Sequence, residues 1–138
     1  MTATHWFKSH VRHLDRQENL ERLTSHQVGR LVFDDDCGPV ALPVNYVIDG
    51  EDVLICTSPY GVIARCAPGH QVAFEIDDID AANEVGWSVL VRGIAEAAPS
   101  GSLPADVDDW PYPWLEGDRS FVLRVRTTDL TGRRLVEA

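Results

Sequence analysis

The sequence predicts a mainly β protein, a small antiparallel barrel or sandwich of six strands with short helices. Three observations carry this. After Gly29 the apolar residues recur every second position, as on a strand with one buried face. Asp49-Gly50 stands between two such runs, and glycine accepts the positive φ that a tight hairpin turn demands. Proline and glycine divide the rest into short segments, with only two stretches of helical character.

The elements follow in order. Asp15 is a candidate N-cap for a helix over 15–25, and Glu18 three residues on completes a capping box; Leu20 and Leu23 give a narrow apolar stripe. "GRLVF" (29–33) is a short strand that ends at the acidic run Asp34-Asp35-Asp36. Along 40–48, Val40, Leu42, Val44, Tyr46 and Ile48 share one face, and Ala41, Pro43, Asn45 and Val47 the other. "DVLICT" (52–57) is the return strand of the hairpin. Thr57 or Ser58 as N-cap and Pro59 at the first helical position predict a helix over 59–66, closed by Pro68-Gly69. Strands at 70–77, 86–97 and 120–130 complete the set, and the proline-rich stretch 98–118 reads as a long crossover.

The 138 residues fit one domain, 1–138, with residues 1–13 expected as a flexible N-terminal arm. Twenty-two acidic against 12 basic side chains give a net charge of −10, which repels nucleic acid and anionic membranes. The second acidic run, Asp77-Asp78-Ile79-Asp80, is expected as a solvated turn like the first. No apolar run approaches the ~20 residues of a membrane span, and the N-terminus lacks a signal peptide's apolar core. Cys37, Cys56 and Cys66, without a CxxC spacing, read as reduced thiols of a cytoplasmic protein. Neither zinc spacing among His5, His10, His13, His26 and His70, nor a GxSxG, GxGxxG or P-loop, is present. "DDWPYPWLEGD" (108–118), with Trp110, Tyr112 and Trp114, is expected to plug the barrel or form an interface.

The segments "VGRLVF", "PVNYVIDG", "ICTSP", "QVAFEIDDID", "GWSVLVRG" and "LTGRR", in this order over residues 14–135, resemble the pyridoxamine 5′-phosphate oxidase-like family of flavin-binding split β-barrels. The resemblance implies a six-stranded antiparallel split β-barrel, a homodimer, and FMN in a cleft between subunits. By position it sets Asn45, with Val44 and Tyr46, near the flavin ring. Thr57 and Ser58 would line the phosphate end, at the free N–H groups of the following helix. Trp87 and Ser88 would flank the cofactor, from the second subunit if not the first. The plain alternatives are an outward polar strand residue for Asn45 and a core aromatic for Trp87.

One departure stands out. Members of the family it resembles that hold FMN usually carry an Arg directly before the strand-ending Thr and a Lys in the helix's first turn. Here those positions are Cys56 and Val62. Arg65, Arg133 and Arg134 are the candidate replacements for the counter-charge, with Arg30 and Arg92 more distant. Two functional classes follow from the resemblance. One is an FMN-dependent oxidoreductase acting on a small organic acceptor. The other is a non-catalytic barrel that holds a flavin, deazaflavin or haem, or a degenerate barrel with an empty cleft.

Overall fold

A computed structural model of the chain describes residues 9–99 and 120–137. The strands are β1 (Ser9–His13), β2 (Val28–Asp35), β3 (Gly38–Asp49), β4 (Asp52–Thr57), β5 (Gln71–Asp80), β6 (Val85–Ala98) and β7 (Phe121–Glu137). The helices are α1 (Arg16–Ser25) and α2 (Val62–Cys66). The sheet runs β1-β7-β4-β3-β2-β5-β6, and a further β6–β7 pairing closes β2 to β7 into a ring, with every pairing antiparallel. The expected split-barrel architecture is therefore observed.

Local chemistry explains most of the joints. Gly50 takes φ +63 at the β3–β4 turn, where Asp49 pairs with Asp52. Arg124 on β7 then ties both carboxylates, at 2.8 Å to Asp49 and 3.0 Å to Asp52. The capping box of α1 is formed as expected: Glu18 N–H donates to Asp15 Oδ1 at 2.8 Å, and Asp15 N–H to Glu18 Oε1 at 3.2 Å. At its other end α1 is pinned to the barrel, because the Tyr46 hydroxyl donates to the Leu23 carbonyl at 2.5 Å. That carbonyl is among the last four of the helix, which have no partner within it.

The core lies inside the ring, where Leu31, Ile55, Phe74, Val89, Val91 and Leu123 are fully buried. Each contributes about 1.5–3 kcal/mol of transfer free energy. α1 covers one end with Leu23 and with Asn19, whose side chain packs against Gly132 of β7. β7 has one long edge on β6, while its other edge serves β4 through Phe121–Val125 and β1 through Arg133–Glu137.

Three expectations are corrected. Residues 9–13 form a strand rather than part of a flexible arm, because β7 extends to residue 137 and offers a free edge to them. Residues 1–8 of that arm, with His5, and the aromatic segment 108–118 lie outside the described residues. The acidic runs are not simply turns. Asp34 and Asp35 continue β2, and Asp77 to Asp80 continue β5, because ladder pairing satisfies their backbone while alternate carboxylates face water. The turn comes later, where Asp80 accepts from Ala82 N–H and Asn83 N–H. Finally, α2 begins at Val62 with Gly61 as N-cap, not at Pro59. Ser58 is used differently: its Oγ accepts from Tyr60 N–H at 3.2 Å and holds a turn in front of the helix. Among the described residues, no helix is long and apolar enough to cross a membrane.

Candidate functional site

β3 and β4 pair only from Asp49↔Asp52 to Tyr46↔Ile55. Beyond that last pair the two strands part company. β3 runs on along β2, and β4 runs on along β7 to Thr57↔Phe121. The opening between them is a cleft of about 370 Å³, bounded by Leu42 to Asn45 on β3, Cys56 to Ser58 after the last pair, and Gly61 to Ile63 at the start of α2. A cleft in this volume range, mainly apolar with a few polar groups, is the common form of a small-molecule site.

Five of the nine expected cofactor residues meet here: Val44, Asn45, Thr57, Ser58 and Val62. Val44 and Val62 pack against the core and provide an apolar wall with Leu42 and Ile63. Asn45 brings an amide that both donates and accepts, and Thr57 and Ser58 bring hydroxyls. The Cys56 side chain, noted for what it replaces, is itself part of the lining. Leu42, Pro43, Gly61 and Ile63 were missed. Their signal was present in the parting of β3 from β4, which depends on how far the hairpin ladder runs.

The other four expected residues lie elsewhere. Tyr46 is 2% exposed and packs edge-on against Phe74, with ring centroids 4.7 Å apart. It is a core residue, and burial pushes its phenol well above the usual range. It shares a face with Val44, but two positions further along β3 that face lies beneath α1 instead of at the opening. Arg65 is 65% exposed and turns to Asp36 at 3.8 Å. It lies in the last turn of a five-residue helix, away from the cleft at the helix's start.

Trp87 and Ser88 belong to β6, which is separated from β3 by β2 and β5. Three strand spacings put them about 14 Å away around the ring. Trp87 lines a separate cavity of about 440 Å³ with Arg22, Asp78, Asp80 and Arg134. The Arg22 guanidinium carbon lies 5.1 Å from the Trp87 ring centroid, and the His26 ring meets it edge-on at 5.0 Å. Ser88 lines a third cavity, of about 480 Å³, with His13, Glu75, Arg92 and Arg133.

That third cavity carries the clearest electrostatic perturbation. Arg30 reaches Glu75 at 3.0 Å and Asp77 at 3.3 Å. Burial raises the Glu75 carboxyl, and the hydrogen bond and like charge of Asp77 raise it further, to about 7, against the partial opposition of Arg30. The remaining candidate cation Arg92 is paired with Asp129 at 3.1 Å. None of Arg30, Arg65, Arg92, Arg133 and Arg134 lines the β3–β4 cleft. Among the described residues no group of His, Cys, Asp and Glu is arranged to hold a metal ion.

Residues 15–134 match the family model described as pyridoxamine 5′-phosphate oxidase. An uncharacterised protein of Mycobacterium tuberculosis, Rv0080, is 32% identical over 128 residues, covering 89% of this chain and 84% of that one. The solved FAD binding protein from Mycobacterium smegmatis is 30% identical, with 91% of this chain and 98% of that one aligned at a TM-score of 0.68. A conserved protein of unknown function from Corynebacterium diphtheriae is 28% identical, with coverage of 91% and 98% and a TM-score of 0.73. A match that runs from the cap of α1 to the Arg134 of β7, over the same ring of strands, leaves one conclusion: the chain belongs to the pyridoxamine 5′-phosphate oxidase family.

Proposed function

We propose that the chain binds a flavin through its ring system in the β3–β4 cleft, and that it serves redox chemistry on a small organic acceptor. The observation that carries this is the cleft itself. It combines an apolar wall from Val44, Val62 and Ile63 with the hydrogen-bonding side chains of Asn45, Thr57 and Ser58. Such a lining fits a flat heteroaromatic ring whose edges carry both donors and acceptors. The relative from M. smegmatis, at 30% identity, is an FAD binding protein, which supports the same ligand class here.

A bound flavin supplies the two-electron redox step, and the protein contributes binding, orientation and exclusion of water. The lining suits the ring portion of a flavin such as FMN, whereas a phosphate would meet no cation among the described lining residues. We also propose that two chains assemble: the family resemblance sets Trp87 and Ser88 beside the cofactor, and within one chain they lie on β6, away from this cleft.

The alternative is a barrel that holds its ligand without turnover. What favours it is the chemistry of the lining: among the described residues that form it, none apart from Cys56, with its thiol, carries an ionisable side chain to move a proton. One preparation tests both. Protein purified without added cofactor is examined for flavin absorption bands, then reduced anaerobically and mixed with a quinone or nitroaromatic acceptor. Flavin bands with rapid reoxidation support the redox reading, and flavin bands with reoxidation no faster than free flavin support the holding reading. If the protein is colourless and takes up no flavin in titration, the flavin assignment is wrong.

A further inference from the structure

A second set of polar side chains stands away from the β3–β4 cleft. β6, β7 and β1 run side by side, and their register sets Ser88 opposite Arg133 and Arg133 opposite His13. Ladder partners share a face and lie about 5 Å apart, so these three residues form a row across three strands. Thr131, two residues before Arg133 on β7, joins the same face. It is the face of the sheet opposite the buried Val89 and Val91. All four residues line the cavity of about 480 Å³. We infer that this cavity is a binding site for a phosphate monoester group, held by the Arg133 guanidinium with the hydroxyls of Ser88 and Thr131 and the imidazole of His13.

Among the described residues, none of these four side chains makes a hydrogen bond or an ion pair. The other arginines on this side are engaged: Arg30 is shared by Glu75 and Asp77, and Arg92 is on Asp129. In a chain with 22 acidic against 12 basic side chains, Arg133 is left with its five N–H donors open to the cavity. Its planar fork matches two oxygens of a phosphate, and the two hydroxyls and one ring nitrogen suffice for the third. A carboxylate, with two oxygens, would leave part of this set unused. The acidic wall is no obstacle. Arg30 meets the charge of Asp77, and burial, reinforced by Asp77, raises the Glu75 carboxyl to about 7, so that near neutral pH it carries only part of its charge. The monoester has two sources. One is a free small ester, and the other is the phosphate end of a flavin whose ring lies in the cleft of a second copy. The second source rests on the flavin binding and assembly proposed above; the site itself does not.

The test compares the full-length chain with Arg133→Ala and Arg134→Ala. Both side chains are exposed, so either can be removed without opening the core. The two variants lose the same charge from adjacent positions, but Arg134 faces the other way, into the Trp87 cavity. Phenyl phosphate is titrated and followed by phosphorus NMR, and riboflavin and FMN are titrated and followed by flavin fluorescence. Saturable binding of phenyl phosphate is expected, weakened roughly tenfold or more by Arg133→Ala and nearly unchanged by Arg134→Ala. That result assigns the site to a free ester. A preference for FMN over riboflavin that Arg133→Ala removes and Arg134→Ala keeps assigns it to the flavin phosphate, brought from a second copy. Equal weakening by both variants shows general attraction by charge and overturns the inference, as does the absence of Arg133-dependent binding of either phosphate probe. Saturable phenyl phosphate binding with no uptake of either flavin rejects the flavin reading and leaves this site standing.

Discussion

Closure of the barrel can be tested at a single atom. β6 and β7 complete the ring, and their register shifts between Arg92 and Gly93. A Cβ on Gly93 would lie 2.1 Å from the backbone oxygen of Arg126 and 3.0 Å from Cγ1 of the buried Val125. The obstructing atom is backbone, so it cannot rotate away; the strands have to separate by about 1 Å to restore a normal contact. Separation on that scale weakens one or two ladder bonds at ~0.5–1.5 kcal/mol each and loosens packing at ~1–3 kcal/mol. The smaller entropy of an unfolded chain with alanine returns ~0.4–1 kcal/mol. Gly93→Ala is therefore expected to destabilise by about 2–3 kcal/mol, a large share of the ~5–15 kcal/mol typical of a domain. Urea unfolding followed by tryptophan fluorescence measures it. Gly50→Ala is the control for backbone strain alone, because nothing lies within 4 Å of its Cβ position. If Gly93→Ala unfolds at the same midpoint as the parent chain, the ring does not close as described.

Three further expectations concern the supports of the fold. Glu75 holds its proton more tightly in the folded chain, at about 7, than the ~4.3 of an unfolded glutamate. Its contribution to stability is thus fully present below about pH 4 and lost as pH rises through 7. Glu75→Gln should gain about 1–2 kcal/mol on the parent chain at pH 8 but little at pH 4, by paired urea midpoints; an equal gain at both would refute the assignment. Tyr46→Phe strips the Leu23 carbonyl of its donor and should cost about 1–2 kcal/mol, an effect disproved by an unchanged thermal midpoint. Asp15→Ala removes the α1 cap, and a loss near 1 kcal/mol is expected in the same assay; no loss would mean that the capping box is idle.

What the sequence revealed depended on how local the cause was. The α1 capping box and the Asp49-Gly50 hairpin are written within a few residues, and both were legible. So was the inward row of β3, whose members Val40, Leu42, Val44, Tyr46 and Ile48 all contact or belong to the core. β1 was not legible, because "SHVRH" has no strong alternation and its partner lies at Arg133–Glu137, the far end of the chain. The start of α2 misled for a different reason. Ser58 and Pro59 suit a helix N-terminus and a preceding turn equally, and the hydrogen bond from Tyr60 N–H decided for the turn. At the site, Asn45, Thr57 and Ser58 were found by resemblance, and the parting of β3 from β4 shows why they meet. The stacking of Arg22 on Trp87 joins a helix to a distant strand, and no spacing along the chain announces it.

β7 serves β1, β4 and β6, and all three precede it in the chain. During synthesis, at ~5–20 residues per second, those partners leave the ribosome well before the strand that joins them. Until β7 arrives, β4 and β6 each keep an open edge, and the apolar "VLI" of β4 (53–55) sits beside one of them. Open edges of that kind pair readily with other chains. The nascent chain is therefore exposed to misassociation through most of its translation, and chaperone capture before β7 emerges should decide how much of it reaches the closed barrel.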